Sequence, residues 1–189
     1  MSYPAFTNSF FLAIIFAFFS LMFTHLNCHS VYSLLEGANR IGDLVKAATQ
    51  MGISELALTD TNGLYGAVTF YKSAKQAGIR PIFGTEIQSN GQRAVLLAKN
   101  MTGFGEICRI VTDRHLKEYF SLLKSLRECG NDVIILCPDQ KLLDGIVKER
   151  GTKDIAVELT RFGNSLIGNL MSYSRRHSLP MVATNRVFF

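Results

Sequence analysis

The stretch Glu55 to Glu86, ELALTDTNGLYGAVTFYKSAKQAGIRPIFGTE, decides the fold. Leu56-Ala57-Leu58 is a short apolar run, closed by the polar cluster Thr59-Asp60-Thr61-Asn62 and then Gly63. Ala67, Phe70, Tyr71, Ala74 and Ala77 follow at helical spacing and form one face of a helix. Gly78 stands where a helix C-cap glycine belongs. Pro81-Ile82-Phe83 opens a second short strand, and Gly84-Thr85-Glu86 closes it. Apolar runs on both sides of one helix predict a βαβ unit with parallel strands. Asp60 and Glu86 are then expected just past strand ends, the face of an α/β barrel where chemistry is placed.

Outward from this unit, strands and helices alternate. Upstream, Thr24 to Asn27 reads as a first strand, with Cys28-His29-Ser30 at its end. Ile41, Leu44, Val45, Ala48 and Met51 form a helical stripe stopped by Gly52. Downstream, Ala94 to Ala98 is a continuous apolar run, as a strand buried on both faces requires. Phe104, Ile107, Cys108 and Val111 mark a helix, and Leu116 to Cys129 a second, more polar one. Val133 to Leu136 and Ile155 to Leu159 read as strands around a helix from Lys141 to Glu149. Leu166, Ile167, Leu170 and Met171 mark the last helix, and Met181 to Thr184 the last strand. Seven strands with helices between most of them predict a parallel sheet covered by helices, and suit a barrel better than an open sheet.

The 189 residues are one domain by length and, at 48% hydrophobic, enough for a sizeable core. Twenty basic and 15 acidic residues give a net charge of +5 without a dense basic stripe. The small clusters Arg109/Arg114/His115/Lys117 and Arg175-Arg176-His177 read either as solvated helix faces or as nucleic-acid contacts. Cys28, Cys108, Cys129 and Cys137 form no CxxC pair and fit no zinc spacing. Cys108 and Cys137 lie in apolar runs and read as core residues of a protein with reduced thiols. The chain contains neither GxGxxG nor GxxxxGK[ST], so Gly63 and Gly66 are not a nucleotide fingerprint. Tyr65, Phe70 and Tyr71 read as packing between helix and sheet, and His25 as a hydrogen-bonded core or rim histidine.

The segments HLNCHSVYSLLEGA (His25–Ala38), ALTDTNGLYGAVTFYKSAKQAGIRPIFGTEI (from Ala57), AVLLAKNMTGFGEICRIVT (Ala94–Thr112) and LPMVATNRVFF (Leu179–Phe189) together resemble the PHP (polymerase and histidinol phosphatase) domain of the bacterial DNA polymerase III alpha subunit, of replicative or error-prone type. The resemblance covers about residues 24–189 and is weakest between His115 and Arg161. It implies a distorted seven-stranded (β/α) barrel. It also implies a parent protein that carries out template-directed DNA synthesis, and a cytoplasmic location. The expected partners are the remainder of the alpha subunit, the exonuclease subunit, and DNA through the parent protein. No Asp-x-Asp pair of a polymerase palm occurs here.

The polar residues at the strand ends are Asn27 and His29, Asp60 and Thr61, Glu86, and Asn185 and Arg186. They are expected to converge on one mouth. Active members of the resembled family hold divalent metals there with His and carboxylate ligands. In this chain His29, Asp60 and Glu86 match retained ligand positions, while Asn27, Thr61, Arg186 and Phe188 stand at substituted ones. The resemblance therefore implies a vestigial metal site. His115 is a further candidate ligand in the weakly matching region. A guanidinium at a former ligand position repels a cation, and Arg186 is expected to neutralise Asp60 and Glu86 instead. The expectation is a structural domain without catalytic residues or a cofactor, and with no small-molecule substrate. The rival is a metal-dependent phosphoesterase.

Phe10 to Phe23, FFLAIIFAFFSLMF, stands apart. It is shorter than the roughly 20 residues a bilayer span needs. No Lys or Arg precedes it, so the basic start of a signal peptide is missing. A membrane anchor, a buried helix or strand, and an extension outside the domain all fit residues 1–23. The resemblance, which begins at about Thr24, favours the last and sets the domain at 24–189.

Overall fold

The structure is a computed structural model and describes residues 23–160 and 167–187. The apolar leader, apart from Phe23, and also Leu166 and Phe188, lie outside the described residues. In chain order the elements are α1 (Ile41–Gln50), β1 (Glu55–Leu58), α2 (Ala67–Gln76), β2 (Arg80–Ser89), β3 (Gln92–Ala98), α3 (Met101–Leu116), α4 (Leu122–Glu128), β4 (Val133–Cys137), α5 (Gln140–Arg150), β5 (Ile155–Thr160), α6 (Ile167–His177) and β6 (Met181–Thr184). The strands form one sheet in sequence order, β1 to β6.

The βαβ unit forms as its pattern requires. Phe70 and Ala74 of α2 are buried, and Gly78 ends the helix with φ of +71°, a conformation that glycine adopts without a Cβ penalty. Strands β1 and β2 pair in parallel. Tyr65, expected to pack between helix and sheet, is instead 67% exposed, whereas Tyr71 is half-exposed and its ring lies 6.5 Å from that of Phe83 on β2.

Three expectations are corrected. The sheet is mixed rather than parallel, because β3 runs antiparallel to both β2 and β4. The cause is local: Asn90 (φ +51°) and Gly91 (φ +75°) make a two-residue hairpin turn that only left-handed backbone can form. Strand β2 therefore continues to Ser89, and Glu86 lies within it rather than past its end. The first expected strand, Thr24–Asn27, is reduced to isolated bridges, His25 with Leu56 and Cys28 with Val187. It touches β1 on one side and the segment after β6 on the other. Finally, Leu116 closes α3 and the next helix starts only at Leu122, where the Ser121 hydroxyl caps it by accepting from the Lys124 N–H.

Side chains of a strand alternate between faces, and the core follows that period. Ala94, Leu96, Ile135, Cys137, Ile155 and Val157 pack under α3 to α6 in one large cluster. Leu56 and Leu58 pack under α1 and α2 in another. Ala57, Val95, Leu97, Leu136 and Ala156 form a smaller apolar layer on the opposite face. Arg93, two residues before Val95, and Glu158, two after Ala156, belong to that opposite face. So does Glu86, which is the direct partner of Val95. The helix-covered face is mainly apolar, whereas the other changes from apolar to polar along its strands.

Candidate functional site

Glu86 is fully buried, and five donor groups meet its carboxylate. Arg93 Nη1 donates to Oε2 at 3.0 Å and Asn27 Nδ2 to the same oxygen at 3.0 Å. Arg186 donates from Nη2 to Oε1 at 2.8 Å and from Nε to Oε2 at 3.2 Å, and Gln88 Nε2 donates to Oε1 at 2.7 Å. Glu158, equally buried, shares two of these partners. Arg93 Nη1 reaches its Oε2 at 2.6 Å and Asn27 Nδ2 its Oε1 at 3.0 Å, while the Thr184 hydroxyl donates to Oε1 as well. One guanidinium and one amide thus bridge two buried carboxylates. Burial alone would raise the Glu86 carboxyl, but Arg93, Arg186, His29 and the Asn27 amide outweigh it and hold it at about 2.

This network fixes the neighbouring imidazole. Because Asn27 directs its amide N–H groups at two carboxylates, its Oδ1 must face His29 Nε2, at 2.8 Å. The oxygen accepts, so Nε2 carries the proton. His29 Nδ1 faces the hydroxyls of Ser33 at 3.1 Å and Thr61 at 3.3 Å. Burial lowers the His29 pKa despite the raising influence of Glu86 and Asp60. The 3.8 Å approach of Nε2 to Glu86 is therefore a contact of neutral imidazole with carboxylate, not an ion pair, at neutral pH.

Asp60 is satisfied without a cation. Its Oδ1 accepts from the Ser30 backbone N–H at 2.6 Å and the Ser33 hydroxyl at 2.7 Å, and its Oδ2 accepts from the Ser30 hydroxyl at 2.8 Å. The expected pairing of Arg186 with both acids is thus corrected. Arg186 holds Glu86, whose like-charged neighbour is Glu158, and hydroxyl and amide donors hold Asp60. The loop carrying Ser30 and Ser33 closes on itself tightly. A Cβ at Gly37 would lie 1.8 Å from the Ser30 carbonyl oxygen and 3.3 Å from Ser33 Cβ. Gly37→Ala is expected to destabilise the chain by about 1–3 kcal/mol, as overpacking does. Urea unfolding would show it, and an unchanged midpoint would mean that the loop yields freely.

His29, Asp60, Glu86, Asn27, Thr61 and Arg186 thus meet, as expected from sequence. Asn185, expected at the same mouth, is exposed, and His115, the further candidate ligand, sits outside the cluster with Nε2 2.7 Å from the Asn62 carbonyl oxygen. Arg93, Glu158, Ser30 and Ser33 are members that the sequence reading missed.

The donor set does not suit a metal ion. Two guanidiniums and an amide N–H occupy the Glu86 carboxylate, three donors occupy Asp60, and the imidazole nitrogen facing Glu86 carries a proton. Among the described residues, no three His, Cys, Asp or Glu side chains group in a way that could hold a metal. The Glu86 carboxyl, held far below neutral pH, is a weak proton acceptor there. Burial, with the charge of Asp60, pushes the Cys28 thiol up to about 12, so it is no nucleophile.

A family model described as the PHP domain matches residues 25–160. The DNA polymerase III subunit alpha of Bacillus subtilis is 33% identical over 196 residues, covering 89% of this chain and 18% of the relative. That of Buchnera aphidicola is 32% identical over 202 residues, covering 88% and 17%. An error-prone DNA polymerase of Symbiobacterium thermophilum is 42% identical over 97 residues, covering 51% and 9%. The chain thus spans less than a fifth of the length of these relatives. In fold it is similar to an amidohydrolase from Chromobacterium violaceum, with a TM-score of 0.57 at 13% identity, covering 87% of each chain. It is also similar to a two-domain Bacteroides vulgatus protein described as containing a PHP-like metal-dependent phosphoesterase, with a TM-score of 0.59 at 14% identity over 87% of this chain and 51% of that one. Since the family model covers well over half of its residues, the chain belongs to the PHP domain family.

Proposed function

We propose that this chain is the PHP domain of a bacterial DNA polymerase III alpha subunit, replicative or error-prone, and that its role there is structural. The observation that carries the reading is similarity at about a third identity along nearly the whole chain to proteins named as that subunit. The parent would carry out template-directed DNA synthesis in the cytoplasm. The domain would dock on the rest of the alpha subunit and on the exonuclease subunit, meeting DNA through the parent. The bridged segment at His25 and Cys28 would stand for the seventh strand of a distorted (β/α) barrel. His29, Asp60 and Glu86 would be vestigial ligands; Arg93 and Arg186 would supply the positive charge that metals supply elsewhere in the family, and Asn27 an N–H donor beside them. No cofactor is needed for that role.

The test is a chimera in which this chain replaces the matching segment of the Bacillus subtilis relative. Primer extension should persist; a folded chimera that cannot extend a primer would contradict the structural reading. A second reading, metal-dependent phosphoesterase, is favoured by the fold neighbour so described. It requires turnover of a phosphate monoester by the purified chain with added manganese or zinc, where we expect none above the blank.

A further inference from the structure

The loop that Asp60 holds carries a feature that neither the core nor the polar cluster uses. Its tip, Val31-Tyr32-Ser33-Leu34-Leu35, contains four apolar residues and no charge. Ser33 is buried, but Val31 and Tyr32 are half-exposed, Leu34 is 82% exposed and Leu35 is entirely so. Single exposed apolar side chains are ordinary on a protein surface, whereas a contiguous exposed group of them marks a contact.

Leu35 is also a poor residue for its backbone. The Glu36 N–H donates to the Ser33 carbonyl oxygen at 3.0 Å and closes a turn in which Leu35 is third, with φ of +66°. That place calls for glycine or asparagine, and a leucine there is strained. Among the described residues, Leu35 buries no surface that would offset the strain. Strained residues of this kind cluster where a site makes use of them.

The tip is nevertheless fixed from beneath. Asp60 accepts from the hydroxyls of Ser30 and Ser33, and the Thr61 N–H donates to Ser33 Oγ at 3.0 Å. The Gly37 N–H donates to the Ser33 carbonyl at 2.8 Å, and the Val31 N–H closes the neck of the loop by donating to the Asn39 carbonyl at 2.9 Å. A loop ordered in advance gives up little freedom on binding.

We propose that this tip is a peg that seats in an apolar, uncharged cleft of the polymerase body beyond this chain, with Leu34 and Leu35 as its anchors. The contact rests on the polymerase reading and specifies where the domain docks. This chain covers 18% and 17% of two of the relatives it matches, so most of each lies outside the match and is at hand to cover the tip. An uncharged tip selects an uncharged cleft, because a charge buried against leucine loses its water and gains no partner. The two leucines contribute in proportion to the apolar area they remove from water.

The first test is maleimide labelling of Leu35→Cys, located by peptide mass, in the 189-residue chain and in the chimera with the Bacillus subtilis relative. Labelling is expected to be about tenfold slower in the chimera or more, as protection by a docked partner implies. Adding Leu34→Asp should bring the rate back to that of the free chain. Equal rates in the chimera and the free chain would overturn the proposal, as would slowing that Leu34→Asp leaves in place. Primer extension by the same chimera keeps the two readings apart. An active chimera with equal labelling rates sinks the peg alone, and a folded, inactive chimera with slowed labelling sinks the structural reading alone.

The second test needs only the 189-residue chain, and decides the matter if the chimera fails to fold. Leu35→Asn should raise the urea midpoint, because asparagine tolerates the left-handed backbone that leucine resists. An unchanged or lower midpoint would show that leucine suits the domain's own fold, and would overturn the proposal. So would sedimentation of the chain as a dimer that Leu35→Asn dissolves, since the tip would then be seated in a second copy.

Discussion

Arg93→Met is expected to destabilise the chain by about 3–5 kcal/mol at neutral pH, the loss typical when one partner of a buried ion pair is removed. The guanidinium is 17% exposed, and both carboxylates it bridges are fully buried. Methionine matches its stem but provides no donor. Asn27 would then be the sole bridge between two like charges, with Arg186 reaching Glu86 alone of the two. A loss of this size is a large part of the roughly 5–15 kcal/mol that holds a domain folded. Adding Glu158→Gln to the variant should restore part of the loss, because one buried charge is then absent. Arg80→Met is the control. Arg80 pairs with Glu55 at a site where the arginine is 68% exposed, and the expected loss is about 1 kcal/mol or less. Urea midpoints decide between these outcomes. A loss at Arg93 no greater than that at Arg80 would show that the buried carboxylates do not depend on the bridge.

Acid should remove on the order of 3 kcal/mol through Glu86 alone, the scale set by a carboxyl held near 2 instead of 4.5. The folded-state value lies below the unfolded one, so the unfolded chain binds the proton more readily. Stabilisation is complete above about 4.5 and disappears as pH falls through about 2. His29 adds a separate loss. Its pKa is also lowered in the folded state, so its contribution begins to fall as the pH drops below about 6.5. Glu86→Gln should be less stable at pH 7, where Arg93 and Arg186 lose a charged partner, yet should lack the steep loss between about 4.5 and 2. Unfolding free energies measured along this range check the slope. The same slope in Glu86→Gln as in the parent chain would assign the acid loss to other groups. Arg186→Met is expected to be less severe than Arg93→Met, since Arg93 and Asn27 still meet Glu86.

The sequence makes the strands and helices legible where hydrophobic period is strong, as in α2 and in the apolar run of β3. The antiparallel turn was legible too. Asn90-Gly91 between two apolar runs is the strongest short hairpin signal, and it extends β2 through Glu86. The seventh strand was not legible, because Thr24–Asn27 has strand composition yet makes only single bridges, and pairing depends on neighbours distant in sequence. For the site, scanning strand ends finds Asn27, His29, Asp60 and Arg186 but passes over Arg93 and Glu158. Those two lie inside apolar strands, where the signal is parity: a charge on the same face as Val95 or Ala156 must be buried, and a buried charge needs a partner. Which acid Arg186 would choose was beyond sequence. Ser30 and Ser33 take Asp60 through a tight loop whose closure shows only in three dimensions.

We propose that Arg93 and Arg186 balance the buried Glu86 and Glu158 in place of a divalent cation, with neutral N–H and hydroxyl donors completing the cluster. Elemental analysis of the chain, purified after growth with added zinc and manganese and then mildly dialysed, tests it most directly. Far less than one metal per chain is expected, with no rise on adding either ion in slight excess. One or more zinc or manganese ions per chain, bound so that Asp60→Asn or Glu86→Gln releases them, would contradict it.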